Sequence, residues 1–261
     1  MNNNPIGVFD SGVGGLSVLL EIQRLLPNET TVFVADQAYV PYGGKTKEEL
    51  ISRVTKILEF FKEKNVKAVV MACNTATVYT IDVMRQKFDF PIIGTVPVIK
   101  TIVSLTKTGK TAVFSTPGTA KSPYLQELIK KFANNVSVEC IGGSNLEELV
   151  EKGEISTDQT FRILQKHLKP LVERGIDAIA LGCTHYPFLK EKIQRIVGQK
   201  VKIVDSGGAV ARRLKEVLTN ENMLSAQKGT DLYYTTGEVE KFEKVASKLM
   251  KRRIEAVRIN L

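Results

Sequence analysis

Val66-Lys67-Ala68-Val69-Val70-Met71-Ala72-Cys73-Asn74-Thr75 aligns without a gap on Ile176-Asp177-Ala178-Ile179-Ala180-Leu181-Gly182-Cys183-Thr184-His185. Each segment is an apolar run that ends in a cysteine, followed by a small polar residue able to cap a helix. Runs this short, without strict polar alternation, predict strands covered on both faces and hence parallel sheet. A strand that delivers a thiol to its carboxyl end, beside a helix N-terminus, is where an α/β protein places reactive groups. One such thiol in each half of the chain points to acid–base chemistry on opposite sides of one small substrate.

Outward from these segments, short apolar runs alternate with longer amphipathic ones. Strands are predicted at Ile6–Phe9, Thr31–Ala35, Val66–Ala72, Ile92–Gly94, Thr111–Phe114, Val136–Cys140, Ile176–Leu181, Val201–Val204 and Leu232–Tyr234. Thr46-Lys47-Glu48-Glu49 and Ser156-Thr157-Asp158-Gln159 read as capping boxes, and Pro187 stands where a first helical turn would begin. The expected fold class is α/β with mostly parallel sheet. A weaker repeat relates Val8-Phe9-Asp10-Ser11 to Val113-Phe114-Ser115-Thr116, which suggests two similar lobes rather than a solenoid. Val204-Asp205-Ser206-Gly207-Gly208 echoes the first turn again and reads as a return into the first lobe. With crossovers at Thr95–Pro97 and Ser206–Gly208, the expected lobes are 1–96 plus 207–261, and 97–206.

A chain of 261 residues can bury a substantial core, and 43% hydrophobic with 25% charged residues is an ordinary soluble balance. Three cysteines without dense spacing argue against a disulfide scaffold and for a reducing compartment. The first residues carry no charged n-region or apolar h-region, and no apolar stretch approaches the roughly 20 residues needed to span a bilayer. A cytoplasmic location without membrane contact is expected. The net charge of +9 raises nucleic acid as a partner. Its basic residues, however, are scattered at helical spacing without interleaved aromatics, as solvated helix faces would be, so no nucleic-acid partner is expected.

A free cysteine has a pKa of about 8.5, lowered by a helix N-terminus or positive neighbours, so one thiol type serves as base and as acid at similar pH. Cys140, closing Val136-Ser137-Val138-Glu139, reads instead as a small buried hydrophobe. A hydrolase built on Cys183 with His185 as base is disfavoured because two residues on a tight turn make an awkward thiol–imidazole pair, and His167 falls in a helix. A zinc site of Cys73, Cys183, His185 and an acid lacks the usual Cys-x₂-Cys spacing. Gly7, Gly12, Gly14 and Gly15 surround Asp10-Ser11 at a strand-to-helix junction. Without Gly-Lys-Ser/Thr, and with Ser17 at the third fingerprint glycine, that loop is suited to a carboxylate rather than a nucleotide. Asp10 could cap this turn or meet a substrate ammonium.

Val8-Phe9-Asp10-Ser11-Gly12-Val13-Gly14-Gly15-Leu16, Pro41-Tyr42-Gly43, Ala72-Cys73-Asn74-Thr75 and Leu181-Gly182-Cys183-Thr184-His185-Tyr186-Pro187 resemble, in order, the signature segments of bacterial glutamate racemases. Related aspartate racemases typically have an acid where this chain has His185 and lack the Asp-Ser-Gly-Val-Gly-Gly loop. The resemblance implies cofactor-independent, two-base interconversion of L- and D-glutamate, supplying D-glutamate for peptidoglycan, with a racemase of aspartate or another acidic amino acid as the alternative. It implies Cys73 and Cys183 as the catalytic acid/bases, with Asp10, Glu151 and His185 assisting the thiols or holding the ammonium. Ser11, Tyr42, Gly43, Asn74, Thr75, Thr116, Thr119 and Thr184 would bind the carboxylates, where neutral N–H and hydroxyl donors stabilise charge as the α-proton leaves. It further implies no metal, a homodimer, pseudo-twofold related lobes and a site in the cleft between them. Because the chain starts only a few residues before its first strand, activity without a cell-wall precursor as activator is expected.

Overall fold

The computed structural model describes residues 1–261. Its strands are β1 (Ile6–Asp10), β2 (Thr31–Ala35), β3 (Ala68–Met71), β4 (Ile92–Gly94), β5 (Lys110–Ser115), β6 (Ser137–Gly142), β7 (Ala178–Leu181), β8 (Lys202–Asp205), β9 (Asp231–Thr235) and β10 (Ala256–Arg258). The helices are α1 (Leu16–Leu25), α2 (Lys47–Glu63), α3 (Asn74–Lys87), α4 (Ile99–Leu105), α5 (Pro117–Ala120), α6 (Pro123–Phe132), α7 (Leu146–Glu151), α8 (Asp158–Glu173), α9 (Lys190–Val197), α10 (Gly207–Asn220) and α11 (Val239–Met250). No helix is long and apolar enough to cross a membrane.

Two compact units form, Met1–Thr95 with Gly207–Leu261, and Val96–Ser206. The first contains a sheet in the order β10-β9-β2-β1-β3-β4, the second a sheet in the order β6-β5-β7-β8. Every pairing is parallel. In each unit the leading strand has its successor on one side and the third and fourth strands on the other. The order of β1 to β4 is therefore repeated by β5 to β8. The direction in which successive strands are added reverses between β1 and β3, and again between β5 and β7. Such a switch point leaves a crevice at the carboxyl strand ends, where α/β folds bind ligands.

Several boundaries shift for identifiable reasons. β3 begins at Ala68 and not Val66, because the Val66 N–H closes the end of α2 on the Phe61 carbonyl (3.2 Å). Ile176 does the same to Leu171 (3.1 Å), so β7 begins at Ala178. β10 escapes the sequence pattern because it is three residues long, has Val257 and Arg258 exposed, and pairs only with β9. The Thr46–Glu49 capping box is present, with Glu49 N–H to Thr46 Oγ1 at 3.2 Å and Thr46 N–H to Glu49 Oε2 at 2.7 Å. Ser156–Gln159 is not one. Thr157 caps α8 by accepting from the Thr160 N–H (3.2 Å), and Thr160 at the third position has no carboxylate to reciprocate. Cys140 is half-buried on the edge strand β6 rather than inside the core.

The first unit also buries an ion pair away from the carboxyl strand ends. Lys67 Nζ lies 2.5 Å from Glu29 Oε2 and donates to the main-chain oxygens of Asn2 (2.6 Å) and Met223 (2.7 Å). Neither charged side chain is more than 2% exposed. Lys67→Met would leave the Glu29 carboxylate desolvated and without its cation. The expected cost is about 3–5 kcal/mol, read from urea unfolding of the full chain. A loss under about 1 kcal/mol would mean that the pair is not the fastening it resembles.

Candidate active site

The matched ladders end in matched hydrogen bonds. In the first unit Phe9 faces Met71 across the pair, and the Ala72 N–H donates to the Phe9 carbonyl (2.8 Å). In the second, Phe114 faces Leu181, and the Gly182 N–H donates to the Phe114 carbonyl (2.8 Å). The next residues, Cys73 and Cys183, thus leave their strands at corresponding points beside the ends of β1 and β5. Close packing requires glycine nearby: a Cβ on Gly15 would lie 2.5 Å from Asp10 Cβ, and one on Gly182 would lie 2.9 Å from Ser115 Cβ.

Cys73 is itself the cap of α3, its Sγ accepting from the Ala76 N–H at 3.4 Å; the following Asn74 is already the first helical residue. Its thiol also reaches Ser11 Oγ (3.7 Å). Ser11 in turn directs its N–H (2.8 Å) and hydroxyl (3.4 Å) to Asp10 Oδ1. Asp10 is fully buried, and its side chain accepts from the neighbouring Ser11 N–H without capping the helical turn that follows. Burial, then the charge of Asp10, push the Cys73 thiol pKa up; the Ala76 N–H and Ser11 contacts only partly oppose them. The lowering expected from the helix N-terminus is therefore overridden, and Cys73 is a thiol at neutral pH. Asn74 is buried with Oδ1 lacking a hydrogen-bond partner, while Thr75 is half-buried.

Cys183 has different company. Its Sγ lies 3.5 Å from His185 Nδ1, and His185 Nε2 lies 2.7 Å from Glu151 Oε1 at the end of α7. The pairing judged awkward from sequence does form, because the Tyr186 N–H bonds the Cys183 carbonyl (3.1 Å) and folds residue 185 back over the sulfur. Burial alone would lower the imidazole pKa. Hydrogen bonding and charge at Cys183, reinforced by Glu151, outweigh it and hold His185 well above its ordinary value. His185 thus stands between the Cys183 sulfur and the Glu151 carboxylate. His167, in α8, instead packs its ring 6.0 Å from that of Phe114.

The remaining residues fall into place around these ends. Thr116 caps α5, with Oγ1 accepting from the Thr119 N–H (3.4 Å) and donating to Thr119 Oγ1 (3.1 Å). Thr184 is buried beside Cys183. Tyr42 is buried and spends its hydroxyl on Asp36 Oδ2 (2.6 Å), whereas Gly43 is exposed on a turn with nothing within 4 Å of a built Cβ. Tyr42 therefore offers main chain, not hydroxyl, to any ligand. No three His, Cys, Asp or Glu side chains are grouped to hold a metal ion, so the zinc reading finds no such cluster. Sequence reasoning gave no role to Tyr186, although it lies inside a quoted motif. Its hydroxyl donates to the carbonyls of Ser115 (3.1 Å) and Gly143 (2.9 Å), joining the β5 end to the turn that leads into α7.

Burial above all, with the charges of Asp36 at Tyr42 and of Cys183 at Tyr186, raises both phenol pKa values well above the usual 10. An acid whose pKa rises on folding contributes stability below its unfolded pKa, and loses it as pH climbs from there toward the folded value. Between pH 10 and 11 the wild-type chain should lose about 1 kcal/mol more stability than Tyr186→Phe. Parallel urea-midpoint slopes for the two chains would contradict this.

The Asp/Glu/Hydantoin racemase family model matches residues 6–214. A glutamate racemase from Pseudomonas syringae pv. tomato is 41% identical over 236 residues, covering 90% of this chain and 86% of that protein. Among solved structures, the RacE1 isoform of glutamate racemase from Bacillus anthracis superposes with a TM-score of 0.90 at 33% identity, over 100% of this chain and 99% of that one. Escherichia coli glutamate racemase, crystallised with L-glutamate and the activator UDP-MurNAc-ala, gives a TM-score of 0.86 at 34% identity over 98% and 97% of the two chains. With a family match over most of the chain and nearly full-length similarity to glutamate racemases, this chain is an isomerase that belongs to the Asp/Glu/Hydantoin racemase family, among its glutamate racemases.

Proposed function

We propose that the chain interconverts L- and D-glutamate without a cofactor, Cys73 and Cys183 exchanging protons with opposite faces of the α-carbon. The observation that carries this reading is the pair of thiols at corresponding switch points, one protonated beside Asp10 and the other set against an imidazolium. A two-base racemase needs that asymmetry: one sulfur must accept a proton while the other has one to give. In one direction of turnover Cys183 acts as the base and Cys73 as the acid. The thiolate takes the α-hydrogen of the enantiomer presented to it, the electron pair spreads into the α-carboxylate, and the Cys73 S–H protonates the other face. The opposite enantiomer uses the exchanged protonation state.

Asp10 and Ser11 would support Cys73, and His185 with Glu151 would support Cys183. Substrate binding would fall to Ser11, the Tyr42–Gly43 main chain, Asn74, Thr75, Thr116, Thr119 and Thr184. The unpartnered Asn74 Oδ1 suits an ammonium donor, because a buried acceptor left without one is costly. Glutamate as substrate is favoured by the 41% identical relative of that name. The product D-glutamate would serve peptidoglycan synthesis in the cytoplasm, and the working species would be a homodimer.

Optical rotation of pure L-glutamate, followed without added cofactor, should decay to zero; decay with L-aspartate alone would replace the substrate with the smaller acid. In D₂O, each enantiomer should acquire deuterium at Cα as it turns over, and product that keeps its original α-hydrogen would rule out exchange through two solvent-equilibrated thiols. Cys73→Ala and Cys183→Ala should each lower kcat at least about 10³-fold, as expected for an obligatory proton donor or acceptor. Near-wild-type turnover in either would remove that sulfur from the mechanism.

A further inference from the structure

The turn that carries Tyr42 and Gly43 is held from one side only. Its main-chain bond, from the Lys45 N–H to the Tyr42 carbonyl (3.1 Å), closes within the turn, and Gly43 and Gly44 are exposed. Its anchor into the protein is the Tyr42 phenol, which donates to Asp36 Oδ2 (2.6 Å). Asp36 follows β2 and is fully buried. A carboxylate in that position is tolerable only when its lone pairs are filled by donors. The others come from two further segments. Arg53 on α2 supplies Nε (2.8 Å) and Nη2 (2.5 Å), and Thr236, just past β9, supplies Oγ1 (2.8 Å).

The same guanidinium makes two more contacts. Its Nη1 donates to the main-chain oxygen of Leu261 (2.5 Å). Its flat face lies 5.1 Å from the Tyr39 ring centre, where Lys45 Nζ approaches at 4.4 Å, and that ring meets Tyr42 edge-on at 6.2 Å. A planar fork that binds a carboxylate bidentately and also stacks on an aromatic ring is specific to arginine.

We propose that Arg53 is a positioning residue: acting through Asp36, it fixes the Tyr42 phenol and hence the turn that receives a substrate carboxylate, with Thr236 and Leu261 tying the returning C-terminal segment into the same brace. The proposal rests on the reading that the Tyr42–Gly43 main chain binds substrate. It makes carboxylate affinity depend on a residue that touches neither substrate nor thiol.

The test uses the full chain with Arg53→Leu, Arg53→Lys, Tyr42→Phe and the Arg53→Leu/Tyr42→Phe double variant. Arg53→Leu should raise KM for L-glutamate about tenfold with kcat within about threefold, a loss of binding rather than of chemistry. Arg53→Lys should recover part of that loss. In the Tyr42→Phe background, Arg53→Leu should add less than about twofold, since the two act along one path. Independently of activity, the Lys45 amide should exchange with solvent at least about tenfold faster in Arg53→Leu, while amides inside α2 keep their protection. If Arg53→Leu fails to fold, Thr236→Val, which removes one donor, should move KM and Lys45 exchange in the same directions. Unchanged KM and unchanged Lys45 exchange in a folded variant would overturn the proposal, as would a fall in kcat at constant KM. Should the wild-type chain not racemise glutamate, the functional reading fails, and Lys45 exchange alone then decides whether the brace exists.

Discussion

Two backbone hydrogen bonds set where the paired thiols emerge: Ala72 N–H to the Phe9 carbonyl, and Gly182 N–H to the Phe114 carbonyl. Each is the last rung of a parallel ladder, and the next residue on one strand is a cysteine. Because the rung fixes the register, the thiol leaves its strand beside the end of the leading strand. There the chain supplies Asp10 and Ser11 in one unit, and Ser115 and Thr116 in the other. A slip of one residue would turn each cysteine to the opposite face. Gly15 and Gly182 protect the arrangement sterically, since any Cβ would collide with the neighbouring strand end.

From that shared frame the two thiols diverge through their neighbours. Cys73 receives a helix N–H, but it is buried against a carboxylate, and desolvation with Asp10 dominates. Cys183 faces His185, whose far nitrogen is held by Glu151. The repeat therefore places two identical groups, and the chain surrounds them with different charges and hydrogen-bond partners. Division of labour between like groups by environment is how one residue type performs both acid and base chemistry at one pH.

The first unit buries two carboxylates, and each is balanced by donors from several segments, one of them far along the chain. Asp36 draws on Arg53, Tyr42 and Thr236; Glu29 draws on Lys67 and the Ser225 N–H. In both cases the segment after Gly207 contributes, which accounts for a chain that returns to extend the first sheet with β9 and β10. These contacts join elements far apart in the chain, so their loss costs more than a surface pair would.

The sequence by itself determined the α/β class, nine of the strand positions and the two cysteine-bearing strand ends, because buried parallel strands leave uninterrupted apolar runs and helix caps leave local polar signatures. Thr46–Glu49 was legible for that reason. What lies outside a local pattern was not. β10 is too short and too exposed to leave a run, and Thr157 outcompeted Ser156 for the cap because only its hydroxyl reaches the Thr160 N–H. The Cys183–His185 contact required knowing how the turn folds, and the Tyr186–Ser115 and Arg53–Leu261 hydrogen bonds join residues 71 and 208 positions apart. Residue type and spacing encode which groups can react. Only tertiary burial and the meeting of remote side chains decide the surroundings of each thiol, because both act through distance in space and not along the chain.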